Sequence, residues 1–160
     1  MNPTHIHLVI THLPIFGSIL GAVVLGYGLS TKSHQTNIAA YLVLVISALG
    51  AGIAYLTGES AEETVENISG ISENTINAHE EFALFALISM IALGLAALLA
   101  FWVTLRRSAL AGYFGGLVLL ISLVSFGLLA WTGYLGGQIR HTEISSGAAA
   151  PAGQKENDVD

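Results

Sequence analysis

Four long apolar stretches alternate with short polar segments along the chain. They run from Leu13 to Leu29, from Ile38 to Leu56, from Phe82 to Val103 and from Leu110 to Leu135. A transmembrane helix needs about 20 apolar residues, and a charge at its centre costs about 2.5–3.5 kcal/mol. None of the four stretches carries a charge in its middle, and none has the polar stripe of a soluble helix. The pattern predicts an all-α bundle of four transmembrane helices.

The polar segments predict how these helices are oriented. The first loop carries Lys32 and the third carries Arg106 and Arg107, whereas the second, from Thr57 to Glu81, has seven Glu and no Lys or Arg. The positive-inside rule then places loops one and three in the cytoplasm. Both termini and the second loop are expected outside, on the periplasmic side of a bacterial inner membrane.

Two further segments complete the expected organisation. In the second loop, carboxylates recur at helical spacing from Glu59 to Glu66, and Ser60 with Glu63 fits a capping box. This pattern predicts a short amphipathic helix there. Residues 145–160 are small and polar without apolar periodicity, so we expect a transmembrane domain over residues 1–144 followed by a mobile tail.

The amino-acid composition limits which partners and which kinds of metal site are possible for this protein. Of the 160 residues, 53% are hydrophobic and 10% charged, and the five Lys and Arg provide no basic surface for nucleic acid. The lipid bilayer is therefore the expected partner. The absence of cysteine excludes disulfides, thiolate zinc sites and iron–sulfur clusters. A bound metal must be held by histidine, carboxylate, methionine or backbone oxygen.

Histidines collect at the end of the bundle predicted to face outward. His5, His7 and His12 precede or open the first helix, His79 opens the third, and His141 follows the fourth. Two histidines on facing helices can ligate haem iron axially in a bundle core. We predict haem b held by His12 and His79, with His7 and His141 serving a second site. A single interfacial histidine is otherwise an ordinary amphipathic side chain.

Carboxylates beside these histidines leave an alternative open. Imidazole together with carboxylate suits zinc, copper or non-haem iron. The candidate ligands of such a metal ion are His5, Glu59, Glu63 and Glu80. The simpler interpretation of the Glu-rich loop is a solvated surface.

Both ends of the chain resemble a known family. The segment His7-Leu-Val-Ile-Thr-His12-Leu-Pro14 and the run Gly133-Tyr-Leu-Gly-Gly-Gln-Ile-Arg-His141 are similar to motifs of the DUF2231 family of small bacterial four-helix membrane proteins. The stretch from Gly58 to Glu81 resembles a Bacteroidetes-type subgroup more than the family at large. The chain differs from the family at three positions. Leu8 stands where the family has proline and Gln138 where it has glutamate, and His141 lies about two residues closer to the preceding motif than the family's histidine does. Some members resemble anchors fused to c-type cytochrome domains, which implies a place in respiratory electron transfer.

Three functional hypotheses follow. The first is an electron-transfer subunit that binds haem b and passes electrons from quinol to a periplasmic acceptor, such as a c-type cytochrome or a respiratory complex. The second is a protein for delivery or sensing of copper, zinc or iron. The third is a cofactor-free subunit of a larger complex or a homo-oligomer, because Gly17 with Gly21 and Gly112 with Gly116 form small-residue faces. The chain shows no nucleophile–base arrangement, so we do not expect a stand-alone enzyme.

Overall fold

The computed structural model describes residues 3–66 and 73–140, and every regular element in them is a helix. The helices are α1 (Pro3–Ile10), α2 (His12–Ser30), α3 (His34–Glu66), α4 (Glu73–Leu105) and α5 (Ala111–Arg140). Four segments of these helices are long and apolar enough to cross a membrane: His7–Ser30, His34–Gly58, Ile76–Leu105 and Ala111–Gln138. For the described residues, the predicted all-α architecture is confirmed, with four helices long and apolar enough to span a membrane. The predicted C-terminal tail lies outside the described residues.

The first span is interrupted beside His12, where the sequence predicts a bend. Pro14 has no N–H to donate to the carbonyl of Ile10, so the helical ladder loses one bond. Thr11 nevertheless keeps helical angles (φ −61°, ψ −25°), and its N–H donates to the carbonyl of His7 at 3.0 Å. The junction between α1 and α2 is therefore a break in hydrogen bonding at a residue whose backbone stays helical.

The second loop differs from the prediction. Instead of a separate amphipathic helix, the Glu-bearing segment continues α3 without interruption from His34 to Glu66. A capping box can start a helix, but α3 contains no proline before Ser60 to stop the existing one. With 33 residues each, α3 and α4 are about 50 Å long. Both exceed a hydrocarbon core of about 30 Å.

The helices form an antiparallel ring. Each packs against two neighbours in the order α2, α3, α4, α5 and back to α2, and α1 packs on α3. Helix α2 therefore lies diagonally opposite α4. The short connections after α2 and α4 lie at one end of the bundle, which we call the basic end because it carries Lys32, Arg106 and Arg107. The opposite end, called the histidine end, carries α1, the start of α4 and the end of α5.

The interior of the bundle is lined mainly by small residues, and the exterior by large apolar ones. Alanine, glycine and serine recur on the packed faces, with Leu25, Tyr41, Leu44, Met90 and Leu93 as the larger buried side chains. Large apolar and aromatic side chains are exposed along every spanning helix. In lipid this distribution is favourable, because association of helices depends on close backbone approach rather than on burying large apolar side chains.

Helices α2 and α4 both end at the basic end, and their C-termini have the same pattern of backbone hydrogen bonds. The N–H of Ser33 donates to the carbonyl of Gly28 at 2.9 Å, and that of Lys32 to Leu29 at 3.2 Å. This is a Schellman motif, and α4 repeats it with Arg107 in the position of Lys32. Lys32 (φ 54°) and Arg107 (φ 51°) both adopt the left-handed conformation. A cation at a helix C-terminus interacts favourably with the helix dipole.

Candidate functional site

His7 is anchored to α3 at the histidine end. Its Nδ1 donates a hydrogen bond of 2.9 Å to the carbonyl of Ala54 and lies 3.3 Å from Oγ1 of Thr57. The Thr57 hydroxyl itself donates to backbone carbonyls of α3. The imidazole lies over Gly58, where a Cβ would be 3.3 Å from its Cε1. The absence of a side chain at Gly58 therefore lets the ring pack against the helix backbone.

His79 is anchored in the same manner on a different pair of helices. From α4 its Nδ1 donates to the carbonyl of Thr132 in α5 at 3.0 Å. A Cβ at Gly136 would lie 3.0 Å from Cε1 of His79, so this glycine also makes room for a ring. Ile76 is buried, and His79 and Ala83 on the same face are partly buried. The spacing of these three residues predicts that they share the side of the helix that continues into the bundle, and their burial agrees with this prediction.

These two anchors determine which ring nitrogen is available. A carbonyl oxygen only accepts hydrogen bonds, so Nδ1 carries the proton in both rings. The neutral imidazole then has its lone pair on Nε2, which is not used by either anchor. Metal-bound histidines commonly donate their second ring nitrogen to a backbone carbonyl in this way, which fixes the tautomer and the ring orientation. Both histidines are thus prepared to ligate through Nε2.

The fold brings these two rings towards each other. His7 extends the line of α2 and His79 begins α4, so they lie on diagonal positions of the ring at the same end. With neighbouring helix axes 8–10 Å apart, the diagonal of a square ring is about 11–14 Å. This separation lets two side chains from opposite helices reach a shared group.

His12 has a different environment. Its side chain is exposed, its Nδ1 donates to the carbonyl of Leu8 in its own chain segment at 2.8 Å, and it stacks on Phe16 with ring centroids 6.2 Å apart. His7 and His12 are five positions apart in the sequence, so their side chains point to different sides of the helix. The structure turns His7, rather than His12, towards the packed side of the bundle.

The remaining predicted ligands do not assemble within the described part of the chain. Glu80 follows His79 directly but is exposed. His5, Glu59 and Glu63 lie on described helices, but their side chains are outside the described part, as is His141 altogether. Among the side chains that the structure describes, no three of His, Asp or Glu come together as metal ligands.

Sequence reasoning missed the groups that orient the two rings. The carbonyls of Ala54 and Thr132 have no side-chain signature, and pairing them with His7 and His79 requires knowing which helices are neighbours. The available signal was glycine near the helix ends, because Gly58 and Gly136 lie about one turn beyond these carbonyls.

Comparison with protein-family models, with curated proteins and with solved structures finds no match to this chain. The resemblance to DUF2231 proteins therefore stays a hypothesis based on the two terminal motifs. Structurally, the chain is an all-helical protein with four helices suited to span a membrane and two anchored histidines at one end of the bundle.

Proposed function

We propose that the protein is a membrane-embedded electron-transfer subunit in which His7 and His79 hold a b-type haem. The observation that carries this proposal is their common geometry: each ring donates Nδ1–H to a carbonyl of a neighbouring helix, and its Nε2 has no hydrogen-bond partner among the described residues. The pairing replaces His12 with His7, because His12 is exposed on the outer surface.

The residues present fit a bis-histidine haem. Haem needs only two protein ligands, because the porphyrin nitrogens supply the other four. A bare metal ion needs three or four from the protein, and no such group is present among the described side chains. The glycines beneath both rings keep the anchors short, and the partly buried positions of His7 and His79 limit access of water.

Each part of the chain would contribute to electron transfer in a definite way. His7 and His79 hold the iron, and the carbonyls of Ala54 and Thr132 make the rings more basic and fix their orientation. Bound haem supplies a one-electron couple, whose potential depends on the axial ligands and on the surrounding polarity. The apolar exterior keeps the site at the edge of the bilayer, where quinol is available.

The charge distribution supports an orientation with the histidine end outside. The three cations at the basic end would face the cytoplasm by the positive-inside rule. Both termini and the haem would then face the periplasm of a bacterial inner membrane. Electrons would pass from quinol to a periplasmic acceptor such as a c-type cytochrome.

Absorption spectra of the natively purified protein test the proposal. We expect a Soret band, with sharp α and β bands on reduction by dithionite, from bis-histidine haem b. His7→Ala and His79→Ala should each lose haem, whereas His12→Ala and His34→Ala, which change exposed histidines, should retain it. A featureless spectrum would reject the haem. Elemental analysis of that sample would then distinguish a copper, zinc or iron site from a cofactor-free subunit.

A further inference from the structure

An apolar groove lies on the outer surface of the bundle between α3 and α4. Its volume is about 480 Å³, within the range of roughly 300–1,000 Å³ that is usual for small-molecule sites. Gly52 lies in the groove with Leu49 and Leu56 of α3, and Leu87 and Ile91 of α4 form the other side. Leu49, Leu56 and Ile91 are each more than half exposed, so the groove opens to the surface that would face lipid.

The spacing of small residues explains why the groove forms. Ala48, Gly52 and Leu56 recur every four residues, so they lie in one row along α3 beside α4. At Ala48 the two helices are in close contact, because a Cβ on Gly94 of α4 would lie 2.9 Å from the Cβ of Ala48. One turn further along α3, a Cβ on Gly52 would meet nothing within 4 Å. The groove therefore opens where a close contact is followed by a residue without a side chain.

The groove lies at a depth where hydrocarbon would surround it. Ala48 to Leu56 cover about 12 Å of helix axis, in the part of the spanning segment His34–Gly58 nearest the histidine end. Tyr55, at that end of the groove, is the single polar side chain among the lining residues. A polar molecule would find no hydrogen-bond partner along the rest of the groove. The matching occupant is a hydrocarbon chain with its polar group at the Tyr55 end.

The charges beyond this end of the groove favour a neutral head group. Anionic lipid head groups bind where Lys and Arg cluster. Residues 57–81, which include the ends of α3 and α4 on this side, contain seven Glu and no Lys or Arg. Repulsion between like charges therefore disfavours an anionic phospholipid. A quinol combines an isoprenoid chain with an uncharged head group, so it fits both the groove and its surroundings.

We propose that this groove binds the isoprenoid chain of a membrane quinol. The inference rests on the proposed function, in which quinol is the electron donor, and it adds the place where the donor binds. Ala54 and Thr57, which contact His7, flank Tyr55 and Leu56 in the sequence. A head group at the Tyr55 end would thus lie beside the same turn of α3 that orients His7.

Photolabelling of the intact protein in phosphatidylcholine nanodiscs tests the groove directly. The probe is a benzoquinone whose alkyl chain carries a photoreactive diazirine, and the labelled positions are identified by peptide mass spectrometry. We expect label to concentrate on residues 48–56 and 87–91. The nanodisc itself supplies acyl chains in large excess. Equal labelling of the exposed face of α5 would therefore mean that ordinary lipid fills the groove, and it would overturn the proposal.

Two glycine variants provide a matched pair. Gly52→Leu fills the groove, whereas Gly127→Leu adds the same side chain at an exposed position of α5, where a Cβ also meets nothing within 4 Å. We expect Gly52→Leu to lower the labelling of residues 87–91 about tenfold, which corresponds to about 1.4 kcal/mol of binding free energy. Gly127→Leu should leave that labelling unchanged. Full labelling of a folded Gly52→Leu protein would contradict binding in the groove.

Haem reduction separates this proposal from the proposed function. With haem bound, Gly52→Leu should slow reduction by added quinol and leave the dithionite-reduced spectrum unchanged. A featureless spectrum of the unaltered protein would reject the haem, and the photolabelling would still report whether a quinone chain occupies the groove. A normal spectrum together with an unchanged rate of reduction by quinol in Gly52→Leu would overturn the groove as the quinol site.

Discussion

At the scale of single residues, glycine determines where the histidine rings can lie. Gly58 and Gly136 each allow an imidazole to approach a helix backbone closely enough for Nδ1 to reach a carbonyl. The approach is tightest at Gly136, where an added Cβ would stand 3.0 Å from His79. Adjacent Gly137 has no neighbour within 4 Å of such a Cβ, so it provides a matched comparison.

Gly136→Ala should displace the His79 ring and weaken its bond to Thr132. Alanine favours a helix by about 1 kcal/mol over glycine, and the steric contact offsets this gain. We therefore expect Gly136→Ala to lose haem absorbance, with little or no gain in Tm. Gly137→Ala should keep the spectrum and raise Tm. Equal behaviour of the two variants, measured by reduced-minus-oxidised spectra and thermal unfolding, would contradict this role of Gly136.

A second prediction at this scale concerns the left-handed residue that ends α4. A non-glycine residue in this conformation costs roughly 1–2 kcal/mol, and Arg107 recovers part of this through the helix dipole, about 0.3–1 kcal/mol. Arg107→Gly should therefore stabilise the protein slightly.

Arg106→Gly is the control, because Arg106 keeps a right-handed conformation and its guanidinium lies 5.0 Å from the ring centre of Trp102. Losing this cation–π contact should cost about 0.5–1 kcal/mol. Equilibrium unfolding in mixed micelles would measure both variants. Stabilisation by Arg106→Gly together with destabilisation by Arg107→Gly would show that the assignment of the cap is wrong.

At the scale of elements, α2 shows how small residues serve a membrane bundle. Gly17 lies against Ser47 of α3, and Gly21 against Leu44, whose Cδ2 would be 2.5 Å from an added Cβ. The small-residue pattern Gly17–Gly21 is therefore used for packing within one chain. At the start of α5, Gly115 packs inward, whereas Gly112 and Gly116 have no neighbour within 4 Å of an added Cβ.

Gly21→Ala should separate α2 from α3. Overpacking of this kind costs about 1–3 kcal/mol, more than the helix propensity gained. Gly26→Ala on the same helix meets nothing within 4 Å and should be neutral or stabilising by up to about 1 kcal/mol. Denaturant or SDS titration of the two purified variants checks the difference. Equal stability would indicate that α2 and α3 do not pack through Gly21.

At the scale of the whole molecule, the antiparallel ring places loops one and three together at the basic end, and His7, His12 and His79 at the other. Large apolar side chains cover the outside, and six aromatic residues near the helix ends are all exposed: Tyr27, Tyr55, Trp102, Tyr113, Trp131 and Tyr134. Aromatic side chains are enriched at both interfaces of a bilayer. The surface thus fits a lipid environment along the full length of the spans.

The proposed orientation can be measured because the chain has no cysteine, so any introduced thiol is unique. In intact cells, a membrane-impermeant maleimide should label Asn74→Cys, at the start of α4 near the histidine end. It should not label Thr31→Cys, at the basic end, until the cells are opened. Both residues are exposed. The reverse pattern would contradict the orientation, and labelling of both in intact cells would contradict an odd number of spans between them.

The sequence by itself determined the class of protein and its spans. Uncharged apolar stretches have few stable alternatives to transmembrane helices, because backbone groups in lipid must bond within the segment. It also indicated the break near Pro14 and the inward position of His79, since both follow from local geometry. The end of α3 was not predictable, because Gly58 and a capping box favour a break that the intact helical ladder overrides.

The tertiary structure alone decided which histidines face the packed side of the bundle and which groups orient them. His7 and His79 are 72 positions apart along the chain, and their anchors are backbone carbonyls, which leave no trace in residue identity. His12 has the more typical motif position but lies on the outer face of its helix.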